Sequence, residues 1–225
     1  MEPIKKHINQ KSILKAEQTL QTHIPPLTPK GKAVVENLPA LYQDYDFAGM
    51  VRNSYNDGFV KYCEDKYTHR EYLDGKQSII MCGNIGTGKT RLAVATAKNM
   101  QPAYQSAVIK FYQGFRATKT LFIMADIMFD QLNQKTRQDG KEKYFHDMFA
   151  KYDLIILDEL SVQNFTDAKE ENLFLFISHT YVYKHPVIVT MNFGMERLKT
   201  VSPRTEDRLR EAAVIMEHKG VSFRK

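Results

Sequence analysis

Tryptophan is absent from these 225 residues, and cysteine nearly so. Cys63 and Cys82 stand apart, with no CxxC and no nearby histidine pair, which argues against a disulfide framework or a zinc site. No apolar run approaches the ~18 residues that a membrane-crossing helix needs. The N-terminal MEPIKKHINQ has lysines but no apolar segment behind them, so it does not read as a secretory signal. No internal repeat or low-complexity run is evident. These absences lead us to expect a cytoplasmic protein with no membrane contact. What is present, 43% hydrophobic residues and an ordinary charged fraction, suffices for one full domain with a core plus a short appendage.

The formal net charge of +6 suggests an anionic partner, weakly. From Arg91 to Ala125 there are five bases and no acid, and from Arg197 onward eight bases against four acids. Each stretch reads either as the footprint of such a partner or as a solvated face.

Residues 1–46 differ in character from the rest. Ile4–Leu20 carries a loose helical pattern, which the prolines at 25, 26 and 29 interrupt, and a second short helix is expected from Gly31 to about Tyr42. The region is too small for a core of its own. It reads either as a small helical module that binds a partner or as a disordered tail. From residue 47 to 225 we expect one domain. A helix is predicted over Tyr55–Tyr72, then a turn at Asp74-Gly75. Strands at 78–83, 120–125, 152–159 and 186–192 alternate with helices from about Lys89, Asp126 and Glu170. Apolar strands alternating with helices predict an α/β fold, a parallel sheet covered on both faces.

The strand SIIM leads directly into Gly83-Asn84-Ile85-Gly86-Thr87-Gly88-Lys89-Thr90, a phosphate-binding loop. Its glycines let backbone amides turn inward at the N-terminus of the next helix. Lys89 is placed to neutralise the β- and γ-phosphates of ATP, and the Thr90 hydroxyl to ligate Mg²⁺. The strand LIILDE delivers its acids at its C-terminal end, where ligand sites of α/β sheets lie. Asp158 would hold the Mg²⁺ shell, and Glu159 would polarise an attacking water as general base. The adjacent acids favour an ATP-hydrolysing machine over a small-molecule kinase.

From about Phe47 to the C-terminus the sequence resembles the AAA+ helicase loaders of the DnaC type and their DnaI-like and IstB-like relatives. The carriers are GNIGTGKT, LFIMADIM at 121–128, DLIILDELSVQ at 153–163, VTMN at 189–192 and RTEDRL at 204–209. The resemblance implies that Asn192 is the sensor I residue orienting the lytic water. It implies that Arg208, or else Arg204, is an arginine finger reaching a neighbouring subunit's γ-phosphate, and that Arg224 is the sensor II arginine. After Arg208 only 225 − 208 = 17 residues remain, too few for the full C-terminal helical lid of larger AAA+ proteins. The expected consequence is an ATP site closed by self-association, and weak hydrolysis by the isolated monomer.

The function so implied is ATP-dependent loading of a DnaB-type replicative helicase onto single-stranded DNA in bacterial or phage replication. An IstB-like transposition helper acting on duplex DNA is the alternative. A phosphotransferase and a non-hydrolysing regulator are more distant ones. Two departures from the family stand out. The segment 100–119 is long, and its Tyr104, Phe111, Tyr112 and Phe115 mingle with Lys110, Arg116 and Lys119. These rings either stack on DNA bases or pack in the core. The N-terminal region is also shorter than a familiar helicase-binding domain.

Overall fold

Four apolar runs of the sequence form the inner strands of one sheet. In the computed structural model, which describes residues 33–101, 118–135, 138–161 and 165–223, these are β2 (Ser78–Gly83), β3 (Lys119–Met124), β4 (Leu154–Leu160) and β5 (Val187–Met191). Two further strands, β1 (Val34–Glu36) and β6 (Ala213–His218), form the edges. The order is β1-β3-β4-β5-β2-β6, and every pairing is parallel.

Parallel pairing requires crossovers, which the helices supply. These are α1 (Asp57–Asp65), α2 (Lys89–Lys98), α3 (Ala125–Asn133), α4 (Gln138–Lys151), α5 (Asp167–Val182), α6 (Met195–Val201) and α7 (Pro203–Ala212). Ile79, Met81, Phe122, Leu154 and Ile156 pack on one face with Val60, Cys63 and Leu92 of α1 and α2. Ile80, Leu121, Ile155, Leu157 and Val189 pack on the other with Met128, Phe145, Phe176, Leu198 and Leu209 of α3 to α7. Side chains alternate across a strand, so a stretch buried on both faces must be apolar throughout, as Leu154–Leu157 of β4 and Val187–Val189 of β5 are.

The topology sets the site. The chain leaves β2, winds outward through β3, returns through β4, and only then fills the gap with β5. The C-terminal ends of β2 and β4 therefore flank the end of β5.

Some expectations give way. Residues 34–36, expected in a helix, add a parallel edge strand to β3, with Val34 opposite Lys119. Val34-Val35 is β-branched, and Pro39 precedes a single 3-10 turn at Ala40–Tyr42 in place of a helix. The helix expected to Tyr72 stops at Asp65, where Lys66 departs from helical backbone with φ −116°, and yields to a 3-10 turn at Tyr67–His69 that Arg70 ends with a left-handed φ of 61°. The single helix expected after Asp126 is two, α3 and α4. The expected turn stands at Asp74-Gly75, where both φ angles are positive. Residues 1–32, Arg224 and most of the aromatic segment, including Tyr104, Lys110, Phe111, Tyr112, Phe115 and Arg116, lie outside the described residues. Lys119 opens β3, 3.7 Å from Glu36. Among the described residues no helix is long and apolar enough to cross a membrane.

Candidate functional site

The phosphate loop joins β2 to α2. Gly83, Gly86 and Gly88 hold φ angles of 111°, 77° and 85°, a backbone path that residues with a Cβ rarely follow. Gly88 is the N-cap of α2, whose first residues are Lys89 and Thr90. The loop is braced internally: Thr87 Oγ donates to the Asn84 carbonyl at 2.9 Å. The Lys89 ammonium, 5% exposed, donates to the carbonyls of Gly83 and Asn84 at 3.1 and 2.5 Å. It is thus buried at the loop with donors satisfied by backbone, and a phosphate would take over those bonds. Ile85 stands exposed at the tip.

Residues 218–223 run along the outer side of this loop. The Asn84 amide donates to the His218 carbonyl at 2.9 Å, and the Asn84 side chain reaches the carbonyls of Lys219 and Gly220. The Phe223 amide donates to the Gly86 carbonyl at 2.9 Å. The His218 ring is buried and faces Phe59. Burial, and secondarily the Lys89 charge, push its pKa down to about 4, so it is neutral at pH 7.

Asp158 closes the other side. It is 1% exposed, and its Oδ1 accepts the Thr90 hydroxyl at 3.0 Å and the Thr190 hydroxyl at 2.6 Å. Burial raises its pKa, with the two hydroxyls opposing that shift. Its Oδ2 is buried without a partner. An anionic oxygen lacking any donor is expensive to bury, and beside the Thr90 hydroxyl it completes a hard-oxygen donor set that suits Mg²⁺. Glu159 follows in a β-bulge, where the register with β5 slips between Leu157 and Leu160. Its φ of 56° turns the side chain out to an exposed position, and its amide donates to Thr190 Oγ at 3.0 Å. Asn192 is exposed and is the first residue beyond β5, two positions after Thr190.

The arginines of α7 are elsewhere. Arg204 makes a two-point ion pair with Glu170 of α5, at 3.0 and 2.7 Å, and lies 4.1 Å from the Phe174 ring centre. Arg208 sits over the rings of Phe174 and Tyr181. These partners belong to α5 and not to the phosphate loop.

The model of the family described as IstB-like ATP binding protein matches residues 43–225. The chain belongs to this family. It is 28% identical over 159 residues to a protein of Geobacillus stearothermophilus described as an insertion sequence IS5376 ATP-binding protein. That match covers 68% of this chain and 57% of the relative, so the chain spans little more than half of that protein's length. Among solved structures, the fold is similar to that of DnaI, with a TM-score of 0.60, 18% identity, and 84% of this chain and 96% of that one covered. It is also similar to the DnaC helicase loader, with a TM-score of 0.58, 17% identity, and 80% and 100% covered. The fold is therefore the P-loop fold of those proteins, and the family to which the chain belongs is described as ATP-binding.

The structure brings residues 83–90, Asp158, Glu159 and Asn192 to one edge of the IstB-like domain and leaves Arg204 and Arg208 on α7. Two participants were not singled out from the sequence. Thr190 shows there only as one hydroxyl within an apolar strand. His218 ends a strand that no turn signal announces.

Proposed function

We propose that this chain is an ATP-driven loader that places a DnaB-type replicative helicase on single-stranded DNA. Lys89 and the loop amides hold the phosphates, and Thr90 and Asp158 would hold Mg²⁺, which would supply positive charge against the phosphates. Glu159, turned outward by its bulge, takes a proton from the attacking water, and Asn192 orients that water. Arg208 of a neighbouring copy stabilises charge on the departing γ-phosphoryl group, and Arg224 contacts the nucleotide from within the chain. Binding thus stabilises an assembled state that hydrolysis dissolves. In this reading the domain from 47 to 225 carries ATP and DNA, and residues 1–46 grip the helicase.

The observation that carries the proposal is the extent of the structural likeness, which takes in 96% and 100% of the DnaI and DnaC chains. Of the segments ADIM and LDELSVQ, which resemble DnaC, ADIM lies on α3 and LDEL ends β4, next to the site. A second reading, a transposition helper on duplex DNA, is favoured by the insertion-sequence relative.

Size exclusion with light scattering separates the two. The full chain is mixed with the host's replicative helicase and ATP, and compared with a chain lacking residues 1–32, which keeps the β1 strand paired to β3. A complex lost on truncation supports the loader and its N-terminal grip. A complex that survives moves the contact to the ATPase domain. Absence of a complex at micromolar concentration, with duplex preferred over single-stranded DNA, establishes the second reading instead.

A further inference from the structure

Helix α7 carries three arginines, and the structure treats one of them differently. Arg204 is bound at two points by Glu170, which also accepts the Ser202 hydroxyl at 2.7 Å. Arg210 pairs with Glu206 and with Glu196. Arg208 makes no ion pair with any described carboxylate. Its guanidinium lies 5.3 Å from the centre of the Phe174 ring, which it shares with Arg204 at 4.1 Å, and 5.5 Å from that of Tyr181, which Arg204 does not reach. Glu211, three residues further along α7, accepts the Tyr181 hydroxyl at 2.6 Å.

The chemistry of the two kinds of contact differs. A carboxylate occupies N–H donors of a guanidinium and cancels its charge, so a phosphate must displace it. An aromatic face attracts the cation through its quadrupole and leaves the in-plane donors open. A ring-held arginine is fixed in direction while still able to grip a phosphate from outside.

We infer that Phe174 and Tyr181 of α5 are positioning residues for Arg208, and that the Glu170–Arg204 pair is the clamp that seats α7 on them. The spacing fits, since Glu170, Phe174 and Tyr181 recur at four and seven residues along one side of α5. This assignment makes Arg208, not Arg204, the arginine available to a neighbouring copy. It rests on the shared ATP site proposed above.

The test uses the full chain, with ATPase rates measured at increasing protein concentration in the presence of single-stranded DNA. Arg208→Ala is the reference. Phe174→Leu combined with Tyr181→Leu, which keeps apolar bulk and removes both rings, is expected to lower kcat about tenfold or more, the scale on which misplacing a reacting group acts. The Kd of a fluorescent ATP analogue and the Tm are expected to stay unchanged. Phe174→Tyr combined with Tyr181→Phe, which keeps both rings, restores the rate. The ring-less variant is then mixed with Glu159→Gln subunits, which lack their own base but retain Arg208. A rate above that of either component alone supports the inference, because the ring-less subunit still has a working site of its own. If Arg208→Ala changes nothing, the shared-site reading itself falls. If Arg208→Ala abolishes hydrolysis while the ring-less variant is unaffected, only the positioning role is overturned. A ring-less variant that is slow but gains nothing on mixing also overturns it, by locating the defect in its own site.

Discussion

The Thr190 hydroxyl donates to Asp158 Oδ1 at 2.6 Å while accepting the Glu159 amide at 3.0 Å. One side chain on β5 thereby fixes both acids at the end of β4, the buried one through its carboxylate and the exposed one through its backbone. Thr190→Val keeps the shape and removes both bonds. It leaves a buried carboxylate with one donor in place of two, a loss of about 1–3 kcal/mol in stability. Chemical denaturation checks that figure. ATPase assays are expected to show a higher Mg²⁺ requirement, because Asp158 is no longer held in register with Thr90. An unchanged Mg²⁺ requirement would mean that Thr190 is only structural.

Glu159→Gln separates binding from hydrolysis. Its side chain is exposed and bears no hydrogen bond to the phosphate loop, so the nucleotide site should survive the substitution. A lost general base slows hydrolysis by about 10²-fold or more. The expected result is a protein that binds ATP with unaltered Kd and accumulates as the ATP-bound assembly. Nucleotide binding titrations and light scattering read both quantities. A weakened Kd would show instead that Glu159 supports the loop.

Much of the site was legible because its chemistry is local. The glycines, Lys89 and Thr90 are contiguous, and LIILDE announces a buried strand with acids at its end. Partners joined across the sheet leave no local trace. Thr190 reaches Asp158 across 32 positions of sequence, and within the pattern of β5 a single threonine looks like a β-branched filler. β1 is three residues long, too short for alternation to register. Helix α4 carries Tyr144, Phe145, Met148 and Phe149 at helical spacing, yet Gly140 and its lysines mask where it begins. The resemblance already put Arg208 before Arg204, but the physical difference between them, in their packing on α5, is not legible in the sequence.

His218 predicts the response to acid. Its folded pKa of about 4 lies below the ordinary 6.5, so the unfolded chain takes up a proton that the folded one refuses. That contribution to stability is complete above pH 6.5 and is lost as pH falls toward 4. The full difference is on the order of 3 kcal/mol by linkage. Urea unfolding of the nucleotide-free protein between pH 7 and 4 is expected to show this decline, and His218→Phe to flatten it. Equal slopes for both proteins would assign the acid sensitivity to other groups.

Gly83 and Gly88 both have positive φ, but only Gly83 is crowded by backbone. A Cβ on Gly83 would stand 2.4 Å from the His218 carbonyl oxygen, whereas one on Gly88 would meet nothing nearer than the Phe223 ring at 3.8 Å. Gly88→Ala should therefore carry only the conformational penalty, about 1–2 kcal/mol. Gly83→Ala adds an overlap that no side chain can relieve, because the obstacle is the backbone of β6, paired with β2 in that register. Its additional cost is about 1–3 kcal/mol, the usual range for an overpacked interior, and the segment 218–223 should detach from the loop. Denaturation without nucleotide, together with protease sensitivity of the C-terminal segment, measures both effects. Equal losses for the two variants would mean that φ alone selects glycine at 83, and that β6 does not hold the loop in place.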